Sequence, residues 1–478
     1  MVAVPEIAHG SKPLVLIRCH HRNFPVFFAC SIWLGALTPI TGPMWLGLGA
    51  LSLAGALRYR PLLLVAGFLA ASVFAFNSHG GLSPLSEREW HGQVQLVNDP
   101  DSFPGRVIVD VSSASGRLRM VVSGPRSAIV RRASAGSRFN VHGSLQELSN
   151  PDRYQSRHLR MSLAVTELTA VGGQTLWRIP IDAVRSTILR GAEALPIEQQ
   201  PVYAGFVIGD DRGSDEVVTQ AFEASGLAHL LVVSGQNVIF VIAVVTPLIS
   251  RLGRRTRMLT LLGILLLFAA VTRFEPSVLR ATVMAMVATV SAGVGRPIEA
   301  HLRLALAVSL LLLLDPLLVH SFGFRLSVAA TAGIAIFARR LSHRLRGPQW
   351  FRQVLAVTIC AQLAVAPLIV PVFGPMPLAA LPANVLAEPI AGLVMMLGSS
   401  VGLLAGIIGG WPAVVLQFPV RCGLWWVMGV ANQFSAFPLP RVGLLHMTVV
   451  TSAAIGLAGA RSLVLRLRPT RRWGSVGG

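Results

Sequence analysis

Beyond residue 226 the chain is a train of nine apolar runs separated by short, arginine-bearing loops. They cover about Leu227–Ile249, Met258–Val271, Val278–Val294, Leu302–Leu314, Phe324–Phe337, Val354–Val372, Leu378–Ile408, Ala413–Gln433 and Leu444–Ala460. Three more, Phe24–Ile40, Pro43–Leu57 and Pro61–Phe76, precede them. Each approaches or exceeds the roughly 17–25 residues of a membrane-spanning helix. With 53% hydrophobic and only 13% charged residues among 478, a soluble globule is excluded. The reading is a polytopic α-helical membrane protein of about twelve spans, several short enough to be broken or re-entrant.

The net charge of +20 comes almost wholly from arginine, Lys12 being the sole lysine. Arginine in short loops reports orientation first. The link at Thr41 and Gly42 is uncharged, whereas Arg58 and Arg60 mark the next one, so the N-terminus is expected in the cytoplasm and the segment after Phe76 outside. Arg251, Arg254, Arg255, Arg257, Arg296, Arg339, Arg340, Arg344, Arg346 and the tail from Arg461 fall on the cytoplasmic side of the same count, which places the C-terminus inside too. Cytoplasmic anchoring explains most of that charge, and contact with nucleic acid or anionic lipid is the reading open for the remainder. The run from Phe24 follows Lys12, Arg18 and Arg22 like a signal peptide, but two further runs follow at once and it is read as a retained span. Cys19, Cys30, Cys360 and Cys422 form no C-x-x-C pair and lie near no histidine cluster, so neither a disulfide framework nor a metal site is expected, and no cofactor.

Between Trp90 and Trp177 the pattern changes to short alternating runs, His91–Val97, Val107–Val111, Leu118–Val122, Phe139–Leu145 and Met161–Leu168, split by turns such as Asn98-Asp99-Pro100 and Ser123-Gly124-Pro125. Five strands in about eighty residues predict a small closed all-β domain of OB-fold type outside the cytoplasm. Such barrels often bind single strands; Phe103, Phe139, Tyr154, Trp90 and Trp177 are the stacking candidates, and Arg117, Arg119, Arg126, Arg131, Arg132 and Arg138 a basic face that could equally be plain solvated surface. Residues 178–195 carry apolar positions at helical spacing with Arg185, Arg190 and Glu193 opposite, an amphipathic helix expected to lie in the membrane interface. The resulting division is 1–80 N-terminal helices, 86–177 barrel, 178–225 amphipathic and linker helices, 226–461 channel-type helical domain and 462–478 basic cytoplasmic tail.

Polar chemistry enters the apolar chain at Gly226-Leu227-Ala228-His229 through Ser234-Gly235-Gln236-Asn237. Each of these polar side chains costs several kcal/mol if left unpaired in hydrocarbon. His229, Ser234, Gln236 and Asn237 are therefore expected to face other helices or water, and Gly226 and Gly235 to permit a break or close packing of the helix. Asp210 and Asp211 end a short apolar run just before, as a turn or gate. Arg280 sits just inside a later span, either snorkelling to the interface or binding phosphate. Asp315 and Arg325 lie ten residues apart across a proline-initiated turn and are read as a structural pair or as two groups at a pore mouth. Gln362 with Pro367, and Asn384 and Glu388 with Pro382 and Pro389, lie in apolar segments whose prolines are expected to break the helices; Glu388 is either functional or paired with Arg421.

A catalytic set is missing from the sequence. His229 and Ser234 are five residues apart, no G-x-S-x-G elbow surrounds the serine, and neither an H-E-x-x-H motif nor a phosphate-binding loop with lysine occurs.

Taken in order, Phe222, the Gly226–Val238 stretch, Leu279-Arg280-Ala281 with Met284, Asp315-Pro316 with Phe322-Gly323-Phe324-Arg325-Leu326-Ser327, Gln362 with Pro367, and Asn384 with Pro389 resemble the ComEC-type competence family of bacterial DNA-internalisation channels. The resemblance covers roughly residues 195–440, and Val141–Leu145 with Asn150-Pro151 resembles the end of that family's small outer domain. It implies an inner-membrane channel passing single-stranded DNA, alongside a separate DNA receptor, nuclease and cytoplasmic motor, in contact with membrane lipids. Many members have histidine where Asn237 stands and glutamine where Arg325 stands. Many also carry a metallo-β-lactamase-like domain after the last span, whereas this sequence ends soon after Arg471-Arg472-Trp473, so strand degradation is expected of another polypeptide or of the outer domain. A transporter of a smaller anionic solute or lipid is the alternative, and a membrane hydrolase using His229, Ser234 or Asp210 the third.

Overall fold

A computed structural model describes residues 23–57, 60–103, 105–171, 178–210, 212–436 and 441–442. The expected last run, the basic tail, the chain termini, Cys19, Arg58, Trp177 and Asp211 lie outside the described residues.

Every expected apolar run within the described residues contains a helix. The first three are α1 Phe24–Leu37, α2 Met44–Leu57 and α3 Arg60–Gly80. After the β domain come α5 Ile179–Ala192, α6 Gln200–Ile208 and α7 Glu216–Ala224, then α8 Gly235–Leu248, α9 Arg254–Val271, α10 Pro276–Gly293 and α11 Ala300–Leu314. A helical stretch over 322–342 (α12) follows, then α13 Gln349–Phe373, α14 Ala380–Ile408 and α15 Gly410–Ser435. Six are long and apolar enough to cross a membrane, within α3, α10, α12, α13, α14 and α15, while α1, α8 and α11 are shorter apolar helices. α13, α14 and α15 run unbroken through Pro367, Pro371, Pro389 and Pro419, against the expectation that the prolines break them. An internal proline removes one backbone hydrogen bond, and in a membrane bundle neighbouring helices compensate it.

The β domain is the expected small barrel. Its five long strands are β1 Glu89–Leu96, β3 Arg106–Ser113, β4 Gly116–Ser123, β5 Arg138–Gln146 and β6 Leu159–Val171, with a three-residue β2 Asp101–Phe103 beside β3. They pair in the order β1-β5-β6-β4-β3, and β3 returns to β1 at Gln95↔Ser112 and Leu96↔Val111, closing the ring. β4 and β6 run parallel, all other pairs antiparallel. α4, Ser127–Arg131, lies between β4 and β5. The period-2 pattern fills the interior with Val107, Val109, Val111, Leu118, Met120, Val122, Val141 and Leu163. Trp90 and Phe139 belong to that interior and are therefore not available for stacking on a strand; Tyr154 is covered by the Arg119 guanidinium at 4.0 Å. Among the described stacking candidates Phe103 alone is exposed.

The helices surround two main cores. α1 and α3 pack against α11 and α12 through Ile32, Ala36, Ala71, Leu304 and Phe324, with Trp33 stacked on Phe324 at 5.9 Å. α5, α6 and the Leu227–Leu231 segment pack against α14 and α15. The amphipathic helix α5 does not simply lie in the interface: a Cβ at Gly191 would strike the Gly402 carbonyl and one at Gly406 that of Thr187, so small residues let α5 and α14 touch backbone to backbone.

Candidate functional site

The Leu227–Ile249 run is broken, as its glycines suggested. α7 ends in a Schellman motif, with Gly226 at φ +76°, Gly226 N–H donating to the Glu223 carbonyl at 3.1 Å and Leu227 N–H to that of Phe222 at 2.8 Å. A Cβ on Gly226 would also overlap that of Ala380 at the start of α14. A short 3₁₀ turn, Ala228–Leu230, and a non-helical link follow before α8 starts at Gly235. The Ser234 hydroxyl accepts from Gln236 N–H at 3.2 Å and so caps α8. Irregular backbone of this kind is tolerated in a membrane only where protein buries it or it lines a cavity. Leu227, Leu230, Leu231 and Val233 are buried here, whereas the His229 side chain between them is exposed.

Arg280, on α10, lies against that helix start. Its exposure is 6%, and a Cβ on Gly235 would come within 2.7 Å of its Nη2 and 2.8 Å of the Ala281 Cβ, so glycine is what lets α8 start this close to α10 and its guanidinium. The Nε donates to Ser327 Oγ on α12 at 2.9 Å, Nη1 approaches Met284 Sδ at 3.1 Å, and Ser277 Oγ on the same α10 face donates to the Val233 carbonyl at 3.0 Å. No carboxylate among the described residues forms an ion pair with Arg280. Two positive sources, a guanidinium and the N-terminal end of a helix, thus face one another without a counter-charge. Of the two readings of Arg280, snorkelling or phosphate binding, the contacts with Ser327 and the α8 start favour the second, since they hold the side chain inside the bundle.

Asn237 is 3% exposed; its Nδ2 donates to the Phe206 carbonyl at 2.6 Å, which ties α8 to α6, and its Oδ1 has no protein partner. Asn384, one turn beyond Ala380 on α14, is likewise buried with an unpartnered Oδ1. A buried polar atom left unpaired costs about 1–3 kcal/mol, so such atoms call for water or a ligand. His229, Ser234, Gln236, Asn237 and Arg280 therefore gather at one helix break, and Asn384 adjoins it through the Gly226–Ala380 contact. Glu388, one turn beyond Asn384 on α14, accepts from Thr358 Oγ1 on α13 at 3.4 Å, Gln362 lies one turn beyond Thr358, and the alternative pairing of Glu388 with Arg421 is not made, since Arg421 is exposed on α15 without an ion pair among the described residues.

The expected Asp315–Arg325 pair is not formed either. Asp315 accepts from Leu317 N–H at 3.1 Å, so it does shape the turn, and its other oxygen meets His158 Nε2 of the barrel at 2.9 Å. Arg325 instead lies over the Phe322 ring at 5.7 Å with its Nε buried and unpartnered.

Asp210 belongs to a charge cluster that sequence reasoning missed. Arg212 grips it at 2.7 and 2.6 Å, and Arg185 of α5 joins Asp210 at 3.2 Å to Asp99 of the barrel at 2.7 Å. Arg273, after α9, bonds Asp99 at 3.2 Å and Asp182 at 3.0 Å. Arg185 also donates to the Ile208 and Val271 carbonyls at 3.2 and 2.6 Å, closing the C-terminal ends of α6 and α9. Burial alone would push the Asp99 carboxyl up, but Arg185, Arg273 and Arg212 and the Ala135 N–H hold it below the usual range. The sequence put Arg185 on the polar face of α5; it is buried because carboxylates from two other segments meet it. The usable signal was Asp182 three residues before Arg185, one helical turn away, together with the acid in the Asn98-Asp99-Pro100 turn.

No three His, Cys, Asp or Glu side chains among the described residues gather as a metal site. Apolar helices of spanning length, a barrel fixed to them by buried ion pairs, and an uncompensated cation at a helix break define a multi-pass membrane protein built around a polar interruption. The competence protein family model matches residues 206–469, more than half of the chain, and the protein belongs to that family. ComE operon protein 3 of Bacillus subtilis (strain 168) is 25% identical over 251 residues, 52% of this chain and 32% of that relative, so the matched part is about a third of the relative's length. No solved structure matches the chain.

Proposed function

We propose that this protein is an inner-membrane channel that passes one DNA strand into the cytoplasm during DNA uptake. The carrying observation is Arg280: a buried guanidinium facing the start of α8, in an ion pair with no carboxylate among the described residues, is a place for an anion, and a phosphodiester is the anion a competence-family protein would handle. His229, Gln236, Asn237 and Asn384 add neutral polar lining beside it, with Gln362, Glu388 and Arg325 further along the path. The proposed arrangement has about twelve spans with both termini in the cytoplasm and the barrel outside, where it would meet incoming DNA from a separate receptor. The chain works as a conduit rather than an enzyme in this reading, with a nuclease and a cytoplasmic motor supplied by other polypeptides. Ser234 is engaged as a helix cap and Asp210 is held by two arginines, which speaks against either as a catalytic group.

The test is nuclease-protected uptake of labelled DNA in the protein's own host. Deleting the gene should abolish it, the wild-type gene should restore it, and Arg280→Gln should restore about a tenth or less while the protein still reaches the membrane. Full uptake by the deletion strain, with uptake of a smaller anionic solute lost instead, would establish the transporter alternative.

A further inference from the structure

A second basic site lies at the loop end of α12 and α13, away from the helix break. A cavity of about 550 Å³ opens there between Arg339, Ser342 and His343 on one side and Gln349, Arg352 and Gln353 on the other. The 14 residues from Arg339 to Arg352 hold five arginines and a histidine, and no aspartate or glutamate occurs between Asp315 and Glu388. Among the described residues none of Arg339, His343 and Arg352 is in an ion pair, and the Arg352 Nε is buried without a partner. The first turn of α13, which supplies Gln349, Arg352 and Gln353, carries no side-chain cap. Just before Arg339 the backbone of α12 widens into a π-helical turn, Ile334–Ala338, a distortion frequent at functional sites.

We infer that this cavity binds the headgroup of an anionic phospholipid. Two guanidinium groups that no carboxylate neutralises suit a phosphodiester, whose oxygens accept paired N–H bonds, while Ser342, Gln349 and Gln353 suit the hydroxyls of a glycerol headgroup. The surroundings favour lipid over a free anion. Both helices are of spanning length, and Ile336, Phe337 and Trp350 beside the cavity are exposed at 47%, 55% and 64%. Ile336 and Phe337 offer a surface to acyl chains, and Trp350 is the kind of ring that settles at headgroup depth. A single strand, by contrast, calls for an extended basic groove with successive stacking rings rather than a notch of headgroup size. The inference depends on the proposed orientation only for the leaflet, which would be the cytoplasmic one, and not on DNA passage.

The experiment is native mass spectrometry of the purified full-length protein released from nanodiscs of dioleoylphosphatidylcholine doped with dioleoylphosphatidylglycerol. The wild type should retain phosphatidylglycerol in preference to phosphatidylcholine. Neutralising Arg339 and Arg352 together (R339Q/R352Q) should lower that retention more than tenfold, at about fivefold per arginine, with an unchanged melting temperature. Arg339→Lys with Arg352→Lys should keep most of it, which separates loss of charge from loss of fold. R251Q/R255Q, at the exposed basic start of α9 and the turn before it, should leave it unchanged. Equal loss in that control, equal retention of both lipids, displacement of the lipid by millimolar inorganic phosphate, or displacement by a single-stranded oligonucleotide each overturns the inference. A lipid result of that kind beside an intact uptake defect in R280Q would leave the channel reading standing.

Discussion

Arg280 and Gly235 form one unit, since the missing Cβ of Gly235 is what admits the guanidinium to the start of α8. Gly235→Ala should therefore act like a partial loss of Arg280: the new methyl pushes the guanidinium and Ala281 away, costing about 1–3 kcal/mol as overpacking does, and uptake of labelled DNA should fall several-fold with the protein still in the membrane. Arg280→Lys should rescue only part of the activity of R280Q, because an ammonium cannot hold Ser327 and a phosphodiester with a planar fork. Both residues were legible in the sequence, as a charged side chain in an apolar run and a glycine beside a polar cluster. Their contact was not, because it joins segments 45 positions apart, as the numbers 235 and 280 show. The Asp315–Arg325 expectation failed for the same reason: nearness in sequence favoured the pair, and His158 from the barrel reached Asp315 instead.

Between elements, the barrel is held by Asp99 and His158. Asp99→Asn removes the acid that Arg185 and Arg273 share, and losing one partner of a buried ion pair costs about 3–5 kcal/mol. Limited proteolysis of intact membranes should then release the barrel many-fold faster than in the wild type. The pH dependence has a definite sign. The Asp99 carboxyl is held below its ordinary value of 3.8 in the folded protein, so its stabilisation is complete above that value and is lost as pH falls through the lower, folded one. Cleavage should stay flat from pH 7 to about 5 and rise only in strong acid, while D99N should already be fast at pH 7. His158→Ala should loosen the same domain more mildly, by about 1 kcal/mol or less, since its ring and Asp315 are both partly solvated.

At the scale of the whole molecule, the barrel's interior placement of Trp90 and Phe139 leaves its outer surface dominated by arginine rather than by stacking rings. If the barrel receives DNA, it should do so through phosphate contacts: binding of a fluorescent single strand to the full-length protein in nanodiscs should fall steeply between 50 and 200 mM salt and be nearly indifferent to base composition, whereas Phe103→Ala should change it less than twofold. By itself the sequence determined the apolar runs, the five barrel strands, the broken helix at Gly226–Gly235 and the polar residues set into the bundle, because hydrophobic period, glycine placement and desolvation act within a few residues of one another. Only the tertiary structure decided that α13 and α14 run through their prolines, that Arg185 is buried among Asp99 and Asp210, and that Arg280 faces α8 without a counter-charge among the described residues. Each of these depends on which distant segment supplies the compensating hydrogen bond or charge, or withholds it, and no local pattern encodes that choice.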